Sequence, residues 1–160
     1  MSIFTLEKHE QTAIITMDDP SQAQNVLNTA VQDDFEQVFS QLEADKDVKA
    51  LIFTSGKPGC FLAGADISML QGIESKQQAY DSCMLLHSLT QRIIDLPYTT
   101  VAAIDGVCLG GGLELALAFD YRIASTDKST KIGVPEVQLG VLPGGGGTQR
   151  IPRLIDLPTA

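Results

Sequence analysis

Two glutamates in this 160-residue chain stand where acids are seldom placed without a use. Glu114 lies in "GVCLGGGLELALA" (Gly106–Ala118), among apolar residues just behind three consecutive glycines. Glu136 lies in "GVPEVQLGVLPGGGG", flanked by Val134, Pro135 and Val137 and followed by a second glycine run. An acid in such surroundings is either turned out to water or buried for use, because a buried charge must be paired or hydrogen-bonded. Two carboxyl groups with raised or split pKa values are the usual equipment for moving a proton at carbon or for holding a water. The glycines could supply the other half of that chemistry. A glycine turn at a helix start leaves N–H groups free, with the positive end of the helix dipole behind them. That is what a developing oxyanion needs. The small-residue loop "LAGAD" (Leu62–Asp66) could aim a second N–H at the same carbonyl oxygen. As structure alone, both loops are tight strand-to-helix turns whose glycines permit close backbone approach, and the residues leave both readings open.

Other chemistries find no support. The chain has no G-x-S-x-G elbow, no phosphate-binding P-loop, no G-x-G-x-x-G fingerprint and no H-E-x-x-H pair. Its histidines are His9 and His87, and His87 sits inside a helical pattern where a structural role is expected. Cys60, Cys83 and Cys108 are odd in number and share no ligand spacing, so they read as free thiols in a reducing compartment, with no metal site. A net charge of −9 argues against nucleic acid as a partner. The N-terminus lacks a signal peptide and no apolar run reaches the length of a membrane span, which makes a cytoplasmic location the default.

The elements that must position these residues alternate between β and α patterns. "IFTLEKHE" and "TAIITMD" read as a hairpin turning around Glu10–Gln11. From Thr29, Val31, Phe35, Val38, Phe39 and Leu42 mark one face of an amphipathic helix, with Asp33, Asp34 and Glu36 expected in its first turns. "VKALIFTS" and "TTVAAIDG" read as buried strands. The stretch from Lys76 to Leu96 is a long helix stopped by Pro97, and a shorter helix is expected from about Gly111 to Ala118. "YRIAS" and "TKIGV" are short strands, and "LGVLPGGGGTQRIPRLI" is a glycine loop leading into a short helix. The alternation gives an α/β fold with parallel crossovers. The strand–glycine loop–helix unit recurs at 50–70 and 99–118. "LIDLPTA" puts Pro158 where a helix would begin, which predicts that the chain is a piece of something longer.

Three stretches, "CFLAGADI" (60–67), "DGVCLGGGLELALAFDYRIAS" (105–125) and "VPEVQLGVLPGGGGTQRIPRLI" (134–155), together resemble the crotonase (enoyl-CoA hydratase/isomerase) superfamily, closest to the hydratase part of its multifunctional fatty acid oxidation members. The resemblance covers nearly the whole chain. It implies a single domain over 1–160, a crotonase-like spiral of repeated ββα units whose C-terminal helical part is missing. It implies an oxyanion hole at the N–H groups of Ala63 and Gly111, with Gly64, Ala65 and Asp66 as further substrate contacts. Glu114 matches the base toward water, Glu136 the acid toward the thioester Cα, and Gly144 a glycine whose N–H also holds the water. The substrate implied is an acyl-CoA thioester, with Lys57 a candidate cation for the CoA phosphates. No metal or redox cofactor is implied for hydration, and NAD would belong to a dehydrogenase part that longer members carry. Self-association, and a thiolase beta subunit as partner of the full-length protein, are likewise implied. Retaining both acids favours hydration over isomerisation of Δ3-enoyl-CoA. The remaining alternative is a module that binds acyl-CoA without catalysis.

Overall fold

The hairpin expected around Glu10–Gln11 opens the computed structural model, which describes residues 2–159. Strands β1 (Phe4–His9) and β2 (Thr12–Met17) pair antiparallel from Phe4↔Met17 to His9↔Thr12. Strands β3 (Ala50–Ser55), β5 (Thr99–Ile104) and β7 (Tyr121–Ala124) then add in parallel, giving a five-stranded sheet in the order β1-β2-β3-β5-β7. Alternate residues bury one face: Ala13, Ile15 and Met17 on β2, Leu51 and Phe53 on β3, Ala102 and Ile104 on β5. Phe53 is the hub of the core, with the rings of Phe4, Phe61 and Phe119 at 6.1, 5.8 and 5.7 Å.

Helix α1 (Thr29–Ala44) buries the five apolar residues that its spacing predicts, and Phe35 stacks on Phe39 while meeting Phe4 edge-on. Its N-terminus is capped by Asn28, whose side chain accepts the Val31 N–H at 3.0 Å. The acids expected to serve the helix dipole are not in the first turn. Tertiary contacts claim two of them instead. Asp34 accepts the Ile3 N–H, and Glu36 joins Glu43 in pairing with Arg92 of α3 (Lys76–Ile94). Helix α3 starts at a reciprocal capping box between Ser75 and Gln78 and stops short of Pro97.

A second, smaller sheet lies inside what reads in the sequence as glycine loop. Strands β4 (Cys60–Leu62), β6 (Val107–Leu109) and β8 (Lys131–Gly133) pair in parallel in that order. Three-residue strands show no periodicity, so β4 and β6 are invisible to pattern reading. Each repeat sends its first strand to the large sheet and its second to the small one: β3 then β4, β5 then β6, β7 then β8. A helix follows each pair, α2 (Ile67–Gln71), α4 (Gly111–Ala116) and, after a 3-10 turn at Glu136–Leu139, α5 (Gly147–Ile155). The chain thus winds as a spiral of ββα units. Helix α4 ends two residues earlier than expected, with Leu117 as its C-cap. No helix begins at Pro158 within the described residues. Asp156 instead accepts the Thr159 N–H at 3.0 Å, and Ala160 lies outside the described residues.

Candidate active site

The three parallel strands of the small sheet end on the same side, where an α/β sheet typically presents its ligand-binding loops. Strand β4 leads into Ala63–Asp66, β6 into Gly110–Glu114, and β8 into Val134–Glu136. The sequence-predicted residues therefore converge because three consecutive repeats each contribute one loop.

The middle loop requires its glycines. Gly110 adopts φ 52° and ψ −128°, outside the regions open to L side chains. A methyl on Gly112 would fall 2.2 Å from the carbonyl oxygen of Leu62, so only glycine lets α4 approach β4 this closely. Gly111 is the first residue of α4, and its N–H precedes the intrahelical ladder and makes no hydrogen bond among the described residues.

The second N–H implied by the family resemblance, that of Ala63, is not free. The N–H of Ala63 donates to the carbonyl of Asn25 at 2.9 Å and is spent within the fold. The Leu27 N–H donates to Gly64 O at 2.7 Å, and the Asp66 N–H donates to Leu27 O at 3.0 Å. These two bonds make a parallel bridge between Leu27 and Ala65. In such a bridge the middle residue turns its own N–H to the opposite side. Ala65 therefore offers a free N–H, and its nitrogen stands 3.9 Å from the position a methyl on Gly111 would occupy. The available pair is Ala65 and Gly111. Asp66 also has a structural task. Its carboxylate caps α2, accepting from the Ser68 hydroxyl at 2.5 Å and from the Ser68 N–H at 2.8 Å, and these hydrogen bonds, the hydroxyl's first, hold its pKa below the ordinary range.

Glu114 is 1% exposed. Its Oε1 accepts two backbone hydrogen bonds from the second glycine run, Gly145 N–H at 2.8 Å and Gly147 N–H at 2.7 Å. Neither residue was singled out from the sequence, although the run "PGGGGT" ahead of a helix is the signal that carries them. A methyl on Gly145 would lie 2.3 Å from Leu86 Cδ2 and 2.8 Å from Glu114 Oε2, and one on Gly147 3.1 Å from Glu114 Oε1, so a side chain at either position would push on the carboxylate. Arg150 on α5 secures the loop by donating to Gly145 O at 2.7 Å. Gly144 is in the same loop, under Cys83 of α3. Its N–H makes no hydrogen bond among the described residues.

Glu136 faces the middle loop from the 3-10 turn. A methyl on Gly110 would meet its Oε1 at 2.8 Å. Its Oε2 is buried without a hydrogen-bond partner. Burial pushes the Glu136 pKa up, its own backbone N–H counters in part, and the charge of Glu114 raises it further. The two acids are thus within electrostatic reach of each other. Lys57 does not offer a free cation here, because its Nζ pairs with Asp18 Oδ1 at 2.8 Å. Cys60 and Cys108 are buried and free; burial pushes the Cys108 thiol up to about 12. Among the described residues no cluster of His, Cys, Asp and Glu is arranged to hold a metal, and no helix is long and apolar enough to cross a membrane.

The sequence model of the enoyl-CoA hydratase/isomerase family matches residues 7–160. Curated relatives include the fatty acid oxidation complex subunit alpha of Aliivibrio fischeri, 52% identical over 149 residues, and that of Vibrio vulnificus, 48% identical over 155 residues. These alignments take in 92% and 96% of this chain but 22% of each relative, so the chain spans about a fifth of their length. Among solved structures, an enoyl-CoA hydratase from Bacillus anthracis superposes with a TM-score of 0.88 at 31% identity, covering 99% of this chain and 60% of that one. An enoyl-CoA hydratase from Thermoplasma volcanium GSS1 superposes with a TM-score of 0.90 at 31% identity, covering 99% and 62%.

Proposed function

The chain belongs to the enoyl-CoA hydratase/isomerase family, and on that premise we propose that it hydrates trans-2-enoyl-CoA thioesters within fatty acid oxidation. The observation that carries the proposal is the pairing of acids around one glycine turn. Glu114 is buried and held by two N–H donors, Glu136 leans over Gly110 with one oxygen unpartnered, and the free N–H of Gly111 belongs to the same glycine turn, one helical turn ahead of Glu114.

In this reading the thioester oxygen lies between the N–H groups of Ala65 and Gly111, which stabilise the enolate as it forms. Removing one such donor typically costs ~10²–10³ in rate. Glu114, with Oε1 fixed by Gly145 and Gly147, takes a proton from water through its other oxygen while the water oxygen bonds to C3. Gly144 N–H, which makes no hydrogen bond among the described residues, is in this reading a second holder of that water. Glu136 gives its proton to C2 as the C2=C3 double bond is lost. Glu114 then carries one proton and Glu136 lacks one, and return of that proton resets the pair. The sum adds one water to one double bond with no net change in oxidation state. The exposed apolar residues Val137, Leu139, Leu142, Leu154 and Leu157 of the C-terminal part support the further proposal that this part associates with more polypeptide, in keeping with the expected self-association.

The test uses Glu114→Gln in the full-length protein. Loss of the enoyl absorbance of crotonyl-CoA reports hydration, and conversion of a Δ3-enoyl-CoA to its Δ2 isomer reports proton transfer alone. Hydration is expected to fall by ~10²-fold or more, the scale of losing an acid–base group, while isomerisation falls less. A variant that hydrates at the wild-type rate would defeat the two-acid reading.

A further inference from the structure

The oxyanion hole proposed above depends on which N–H of the loop Ala63–Asp66 is left free, and that loop hydrogen-bonds to the segment Asn25–Leu27. Asn25 is 0% exposed. Its Nδ2 lies within hydrogen-bond distance of Met17 O (2.9 Å), Ser55 Oγ (2.9 Å) and Phe61 O (3.3 Å), and its Oδ1 accepts the Asp19 N–H at 3.1 Å. One amide thereby ties together the ends of β2 and β3 and the middle of β4. Its main-chain oxygen takes up the Ala63 N–H at 2.9 Å. Two residues on, Leu27 bridges Gly64 O and Asp66 N–H, which leaves the Ala65 N–H directed away from Leu27.

We infer that Asn25 is a positioning residue for the reaction: its side chain fixes the Asn25–Leu27 segment, which occupies Ala63 and so makes Ala65 the donor aimed at the thioester oxygen. This rests on the hydratase reading. An apolar side chain of similar size would take the side-chain donor from Phe61 O and the acceptor from the Asp19 N–H, while Met17 O keeps the Gly56 N–H and Ser55 Oγ keeps the Lys57 N–H, and the segment would be free to shift along β4. Displacements of about 1 Å remote from the reacting atoms can lower rates by ~10²-fold.

The experiment measures the infrared carbonyl band of [1-13C]butyryl-CoA, a saturated thioester that cannot be hydrated, bound to the full-length protein. Hydrogen bonding to the carbonyl moves the band to lower frequency. The wild-type protein is expected to show that displacement. Asn25→Ala is expected to lose most of it and to lower kcat for crotonyl-CoA by ~10–10²-fold with a much smaller change in KM. A fold that is merely less stable would lower the melting temperature without moving the band. If the wild-type band is displaced and Asn25→Ala keeps both the displacement and kcat, the positioning role is overturned while the hydratase reading stands. If the wild-type band is not displaced, the hydratase reading fails and this inference with it. Should Asn25→Ala not fold, Ser55→Ala decides by the same band. It removes one of the acceptors of Asn25 Nδ2, and a partial return of the band supports the role while an unchanged band overturns it.

Discussion

At Glu136 the fold keeps a proton to higher pH than an exposed glutamate would, chiefly through burial and then through the charge of Glu114. That is the direction needed by a group that delivers a proton to C2 near neutrality. It also makes a statement about stability. The unfolded chain loses the Glu136 proton first as pH rises, so the folded chain holds the extra proton between the ordinary glutamate value and the raised one. Stability from this group is fully present below that window and declines across it. Chemical denaturation from about pH 4 to about pH 8 is expected to show this decline in the wild type and a flatter profile in Glu136→Gln. Equal slopes in the two proteins would mean that this carboxyl is not perturbed. Glu114 and Glu136 were both legible in the sequence, because an acid among apolar residues is conspicuous. Ala65 was not. The rule that a small-residue loop offers a free N–H does not say which one, since that is decided by the segment Asn25–Leu27, nearly forty residues earlier in the chain.

The elements hold the site by close approach rather than by strong side-chain interactions. Helix α4 can place Gly111 beside Ala65 only because Gly112 lets the helix sit against Leu62. Two effects oppose each other when Gly112 becomes alanine. Helix propensity favours alanine by up to about 1 kcal/mol. The added methyl, 2.2 Å from a backbone oxygen that cannot swing aside, costs about 1–3 kcal/mol. Overpacking wins, so Gly112→Ala is expected to lower the melting temperature and kcat together. Gly133→Ala on β8, where a methyl meets nothing within 4 Å, serves as the matched control and is expected to change neither. Calorimetry and crotonyl-CoA kinetics on the pair check this, and equal behaviour of the two variants would contradict it. Long elements such as α1 and α3 were readable from their apolar spacing and caps. Of the small sheet only β8 was, as the short strand in "TKIGV"; β4 and β6 were not, because they are three residues each and sit in glycine-rich sequence.

On the scale of the whole molecule, the spiral gives the site its three walls. Each ββα repeat sends one strand to the large sheet for the core and one to the small sheet for chemistry, so β4, β6 and β8 deliver Ala65, then Gly111 with Glu114, then Glu136, in spatial order. The repeat at 50–70 and 99–118 hinted at this arrangement, but the third copy, β7 and β8 with α5, is too irregular to recognise before the strands are seen to pair. In the proposed reaction these walls add water across one face of a double bond. The most direct measurement is nuclear magnetic resonance of the product formed from crotonyl-CoA and the full-length protein in deuterium oxide. The predicted product is a 3-hydroxyacyl-CoA with one deuterium at C2 on the same face as the new C3 oxygen. Deuterium at C2 on the opposite face, or exchange of deuterium into the thioester without any 3-hydroxy product, would contradict it.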